Sequence, residues 1–196
     1  MSKYKAYIAP STQQHNITAL GNTEENVMHD IANELNPLLI DSGIETIVGR
    51  KEQTLAEMVK ESNTNKVDIY VSIHSNASST VGDTPRGCEV FHYTTSKNGK
   101  RLAECVYKYL EILTPTDDRD VKTTTTLYEV AKTNATAILI EVDFHDSFEG
   151  AKWIEDNKRL IAEAIAQGIC DYFNIPLKKN PYKEAILKIK EIIKCL

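Results

Sequence analysis

Val67-Asp-Ile-Tyr-Val-Ser-Ile-His74-Ser-Asn76 opens as an apolar, β-branched run and closes on polar groups. Val, Ile and Tyr at that density read as a buried strand. Period-two alternation sends Ser72, His74 and Asn76 to one face at the strand's end, so an imidazole emerges between two hydrogen-bonding groups. Alone, such a His reads as a satisfied polar residue. A second stretch of the same design changes that reading: Thr136-Ala-Ile-Leu-Ile-Glu141-Val-Asp-Phe-His145 carries a carboxylate inside its apolar run. A buried Glu is costly unless a charge partner waits for it. A Glu beside an imidazole-bound cation is an arrangement for metal-assisted hydrolysis.

Outward from these two stretches, strands and helices alternate. Tyr4–Ala9 reads as a first strand and Pro10–Asn22 as a polar loop. Asn22-Thr23-Glu24-Glu25 then opens a helix to about Leu39, with Asn22 or Thr23 as cap and carboxylates in the first turn. Val27, Met28, Ile31, Ala32, Leu35 and Leu38 fit its 3.6-residue period. Ile44–Val48 is a second strand and Thr54–Asn63 a second helix. After the His74 strand come a loop from Ala77 to Gly87, a strand Cys88–Tyr93 and a helix Ser96–Thr114. The Thr123–Thr126 run reads as a solvated loop or an edge strand, and Leu127–Ala131 as a short extended segment. The Glu141 strand follows, then a long amphipathic helix, Glu149–Phe173. This alternation predicts an α/β fold, a mostly parallel twisted sheet flanked by helices on both faces.

The domain is expected to span residues 1–176, closing at Ile175-Pro176. Beyond it, Ala185, Ile186, Ile189, Ile192 and Ile193 give residues 177–196 a new amphipathic period, too short to fold alone. Three fates are open to this tail: packing on the domain, self-association, or linking to a further module. A net charge of −5 argues against general nucleic-acid binding. No apolar stretch approaches the roughly 20 residues that span a bilayer, and the N-terminus has no apolar signal core. Cys88, Cys105, Cys170 and Cys195 are scattered without CxxC spacing and read as isolated thiols.

In α/β sheets the working groups gather where strands run out at their carboxyl ends. His15 follows the first strand, His74 ends a core strand, Glu141 lies in a later one, and Glu24 sits in the first turn of the helix leaving the His15 loop. If all four converge, two imidazoles and a carboxylate make the ligand set of a catalytic zinc with one position left for water. The other carboxylate is then the proton shuttle. His29 and His92 read as surface residues, His145 as structural, Glu89 as an ordinary strand residue, and Arg50 as structural.

With these residues in view, the chain resembles the zinc-dependent N-acetylmuramoyl-L-alanine amidases of the amidase 3 type over roughly residues 4–175. Ser72-Ile-His74-Ser-Asn76 matches the family's Ser-x-His-x-Asn, and Ile138-Leu-Ile-Glu141 its apolar strand ending in the catalytic Glu. Gly87-Cys-Glu89-Val-Phe and Leu127-Tyr-Glu-Val-Ala are supporting matches. The resemblance implies one Zn2+ per domain, held by His15, Glu24 and His74, with Glu141 as the catalytic base. Glu24 is matched by counting back from Ile31-Ala32; Glu25 is its rival, about 100° further round the helix. Pro10-Ser-Thr-Gln-Gln-His15 departs from the family's glycine-flanked His.

The expected activity is hydrolysis of the amide between N-acetylmuramic acid and the L-alanine of the peptidoglycan stem peptide. The loop from Ala77 to Arg86 is then a wall of the substrate groove. The expected partner is peptidoglycan, with no nucleic acid and no membrane insertion. Without a signal core, a phage endolysin made in the cytoplasm and released to the wall by a holin is expected, with a bacterial autolysin exported by another route as the other source. Two rivals stand beside it: a zinc peptidase acting on the stem peptide, and a catalytically silent wall-binding domain.

Overall fold

A computed structural model describes residues 3–78, 85–116 and 119–178. In chain order its elements are β1 (Tyr4–Pro10), α1 (Glu24–Asp41), β2 (Ile44–Val48), α2 (Leu55–Asn65), β3 (Ile69–Asn76), β4 (Glu89–Tyr93), α3 (Lys97–Leu113), β5 (Val121–Thr124), α4 (Tyr128–Lys132), β6 (Thr136–Phe144) and α5 (Phe148–Phe173). The strands form one sheet in the order β2-β1-β3-β6-β4-β5. The first three and β6 run parallel, β4 runs antiparallel to β6, and β5 lies parallel to β4. The α/β class and the mostly parallel sheet are as the alternating pattern predicts.

Side-chain alternation divides the sheet into two unlike faces. Ala6, Ile8, Val71, Ile73, Ile138 and Ile140 point into the main core, under α1, α3 and α5. Tyr7, Ala9, Tyr70 and Ala137 point the other way and meet Met58 and Val59 of α2. Thr23 caps α1, its side chain accepting from the Asn26 N–H at 3.1 Å, so Glu24 and Glu25 lie at the helix's positive end. On the thick face α5 crosses α3 closely: a Cβ on Gly168 would run into the Val106 Cα.

One expected element changes type. Leu127–Ala131 is not extended; Tyr128–Lys132 is a helical turn with Glu129 and Val130 buried. Five residues hold too little period to tell one from the other. The threonine run contributes its first two residues to an edge strand, β5. Of the expected loop and tail, residues 79–84 and 179–196 lie outside the described residues. Among the described residues, no helix is long and apolar enough to cross a membrane.

Candidate active site

Tyr70, Ser72 and His74 alternate onto the face that α2 and α4 cover. In the parallel β3–β6 ladder His74 lies opposite Glu141, and in the antiparallel β4–β6 ladder Glu141 lies opposite Glu89. Three ionisable residues thus form a row across three strands. Immediately after His74 the β3–β6 register shifts, so that Asn76 pairs with Phe144. Such an irregularity re-aims side chains at the end of a strand.

His74 is buried between two carboxylates. Its Nδ1 is 3.1 Å from Glu24 Oε1 and its Nε2 is 3.1 Å from Glu129 Oε2. Burial works against the imidazolium, but hydrogen bonds to Glu129 and Glu24 outweigh it and carry the His74 pKa up to about 10. Glu24 is wholly buried at the start of α1. Asn16 Nδ2 donates to its Oε2 at 2.8 Å and the Ser75 N–H to its Oε1 at 3.4 Å. Burial pushes its carboxyl up, yet bonds from His74, Asn16 and Ser11 hold it below the usual range. Glu141 is different: its Oε2 is enclosed and has no hydrogen-bond partner among the described residues. Burial, only partly countered by His74, pushes its pKa up to about 7.

Three of the four expected residues therefore meet, and His15 does not. The loop after β1 is pinned by the Ser11 N–H on the Ile73 carbonyl at 2.9 Å and by the Glu24 N–H on the Asn16 carbonyl at 2.9 Å. Asn16 is the residue turned inward, and its neighbour His15 is exposed. In this structure His15 makes no hydrogen bond to Glu24 or His74. Glu24, not Glu25, faces His74.

Several neighbours were not legible as site residues. Glu129 stands out, since its helical turn read as extended. Glu89 is buried and ion-paired to Arg119 and, at 2.8 Å, to Lys122. His145 holds the two strand ends together, Nδ1 lying 2.9 Å from both the Ser75 hydroxyl and the Ser75 carbonyl. Asp143 is fully buried against Arg86, which donates two hydrogen bonds to its Oδ2. His29 and His92 are buried, contrary to the surface placement read from the sequence.

As a place for a cation the donor set fits in part. Two ligands of one tetrahedral zinc, each roughly 2.0 Å from it, lie about 3.3 Å apart; Glu24 Oε1 and His74 Nδ1 are 3.1 Å apart. Three carboxylates surround one imidazole, a charge balance that favours a bound cation. Among the described residues no group of three His, Cys, Asp or Glu is spaced to hold a metal.

A buried imidazole between carboxylates, at the carboxyl edge of a mostly parallel sheet, is an arrangement able to take up and release protons. The family model of N-acetylmuramoyl-L-alanine amidases, Amidase_3, matches residues 8–171, and the chain belongs to this family. It is 31% identical over 176 residues to the N-acetylmuramoyl-L-alanine amidase LytC of Bacillus subtilis, a match covering 85% of this chain and 35% of LytC. The chain thus spans about a third of that relative's length. In fold it is similar to the N-acetylmuramoyl-L-alanine amidase of Clostridium difficile 630, with TM-score 0.80, 24% identity, and coverage of 89% of this chain and 98% of that one. It also resembles the catalytic domain of the CD27L endolysin targeting Clostridia difficile, with TM-score 0.70, 23% identity, and coverage of 86% and 97%.

Proposed function

We propose that this chain hydrolyses the amide between N-acetylmuramic acid and L-alanine in peptidoglycan, with Glu141 as general base and Glu24 and His74 holding one zinc ion. The observation that supports it most is the enclosed, unpartnered Oε2 of Glu141 beside the Glu24–His74 pair, in a chain of the amidase family. Zinc bound there would supply Lewis-acid polarisation of the amide carbonyl and acidify a water. Glu24 and His74 present their donor atoms from a helix start and a core strand, each braced by further hydrogen bonds. Glu141 Oε2 accepts the proton of the attacking water and returns it to the L-alanine nitrogen as the C–N bond breaks. Burial holds the Glu141 pKa up at about 7 without a metal, and a cation at Glu24 and His74 would favour the ionised form that a base requires.

The test is digestion of purified peptidoglycan followed by mass spectrometry, with metal analysis of the same preparation. New L-alanine amino termini, lost on chelation and restored by zinc, are expected. Released D-amino acids would favour the stem-peptide peptidase, and no product at all the silent wall-binding domain. Peptidoglycan as substrate places the action at the cell wall. The narrower proposal, an endolysin released by a holin, predicts lysis only when the two are expressed together.

A further inference from the structure

Charge is unevenly placed along the row that ends at β4. Glu24 and Glu129 flank one imidazole, Glu141 lies beside it, and Glu89 stands directly opposite Glu141 in the β4–β6 ladder. Residues opposite each other in an antiparallel pair point to the same face, and like charges so placed repel. Glu89 is only 3% exposed, so its charge has to be met inside the protein. It is met twice. Arg119 Nε and Lys122 Nζ both donate to the same oxygen, Oε1, the lysine at 2.8 Å. One cation balances one carboxylate, so the second is in excess.

The excess lies in Arg119. Only its Nε is engaged, and its two terminal nitrogens have no hydrogen-bond partner among the described residues. The guanidinium sits over the Phe144 ring, 4.9 Å from the centroid, a cation–π contact that holds its plane. About a third of the side chain, 32%, is exposed. The neighbouring groups are already occupied. Arg86 uses Nε and Nη2 on Asp143, and Glu129 takes the Tyr70 and Ser72 hydroxyls together with His74. A planar guanidinium edge with two parallel N–H groups matches a carboxylate in a way that a lysine ammonium does not.

We propose that Arg119 is a specificity-determining residue that binds a carboxylate of the stem peptide, one or two residues beyond the scissile L-alanine amide, while Lys122 balances Glu89. The reach agrees. One strand spacing, about 4.8 Å, and one ion pair separate Arg119 from Glu141, and one or two residues of extended chain cover about 3.5–7 Å. The electrostatics agree as well. An anionic peptide entering among four glutamates is repelled, and an excess cation at the β4 end of the row offsets that repulsion and fixes the direction in which the peptide lies.

This inference rests on the amidase activity proposed above, and two forms of peptidoglycan separate the two: native, and with its stem carboxylates converted to amides by carbodiimide and ammonia. Wild-type enzyme should release L-alanine amino termini about 10-fold more slowly from the amidated wall, the scale of a lost charge-assisted hydrogen bond. Arg119→Gln should be slower on the native wall by a similar factor and should lose nothing further on amidation, because both changes remove one interaction. Arg119→Lys keeps the charge beside Glu89 but not the planar edge, and should retain only part of the preference. A purely structural role for Arg119 would lower both rates alike and leave their ratio intact. An intact ratio in folded Arg119→Gln, or a wild type indifferent to amidation, overturns the inference while the amidase activity stands. Wild-type enzyme that frees no L-alanine termini from either wall removes that activity, and this role of Arg119 with it.

Discussion

Glu141→Gln should make the metal-free protein more stable at pH 8 and leave it unchanged at pH 4.5. The folded state raises the Glu141 pKa from 4.5 to about 7, with burial as the main cause. A raised carboxyl pKa means that the neutral form is the one the fold favours. Below 4.5 the group is protonated in both states and its contribution is fully present. As the pH climbs toward 7 the unfolded chain ionises freely while the folded chain resists, and the contribution is lost. At about 1.4 kcal/mol per pH unit, the interval corresponds to about 3 to 4 kcal/mol. Gln mimics the neutral carboxyl and does not ionise, so the variant escapes that loss. Equilibrium urea unfolding in the presence of a chelator, for both proteins at both pH values, reads the difference directly. Stabilisation of the same size at pH 4.5 and pH 8, or none at pH 8, would refute a half-buried Glu141 with an enclosed, unpartnered Oε2. The same variant should lose turnover by about 100-fold or more, the scale of general acid–base loss.

His15→Ala should keep zinc affinity within about twofold, because the side chain is exposed and apart from the pair, whereas His74→Ala should abolish binding; a chelator titration compares them, and loss in both would restore His15 as a ligand. Glu24→Ala should weaken zinc retention about 10-fold or more and Glu25→Ala hardly at all, read by metal analysis after dialysis. Arg86→Ala leaves Asp143 buried without its cation and should cost about 3–5 kcal/mol in urea unfolding. Gly168→Val drives a branched side chain into the α3 backbone and should lower the melting temperature by several degrees or prevent folding.

The long, strongly periodic elements were legible because burial of one face writes itself into spacing. α1, α3 and α5 lie within a few residues of their expected ends, and β3 and β6 were found from their apolar runs. Glu24, His74 and Glu141 could be singled out because each sits at a strand or helix end whose type was already clear. His15 could not be placed, since a loop's inward and outward residues depend on which backbone groups pin it. Here Ser11 and Asn16 made the inward contacts. Glu129 escaped for a related reason. Its partners lie at positions 70, 72 and 74, and no local pattern around residue 129 records a hydrogen bond made across more than fifty residues. The pairing of Glu89 with Arg119 and Lys122 depends likewise on a strand order that sequence alone does not fix.

The helices of the two faces are unequal. α1, α3 and α5 run to 18, 17 and 26 residues, while α2 and α4 have 11 and 5. Cooperative unfolding energy concentrates where apolar burial is deepest, and thinly covered segments open at lower cost. The lopsided build therefore separates two tasks in time as well as in space. By that rule most of the unfolding energy lies on the thick side, and hydrogen exchange is expected to be faster in the five-residue α4 than in α1 or α5. Because α4 carries Glu129, opening of that turn would release the His74 ring at Nε2 and leave Glu24 as its remaining carboxylate partner.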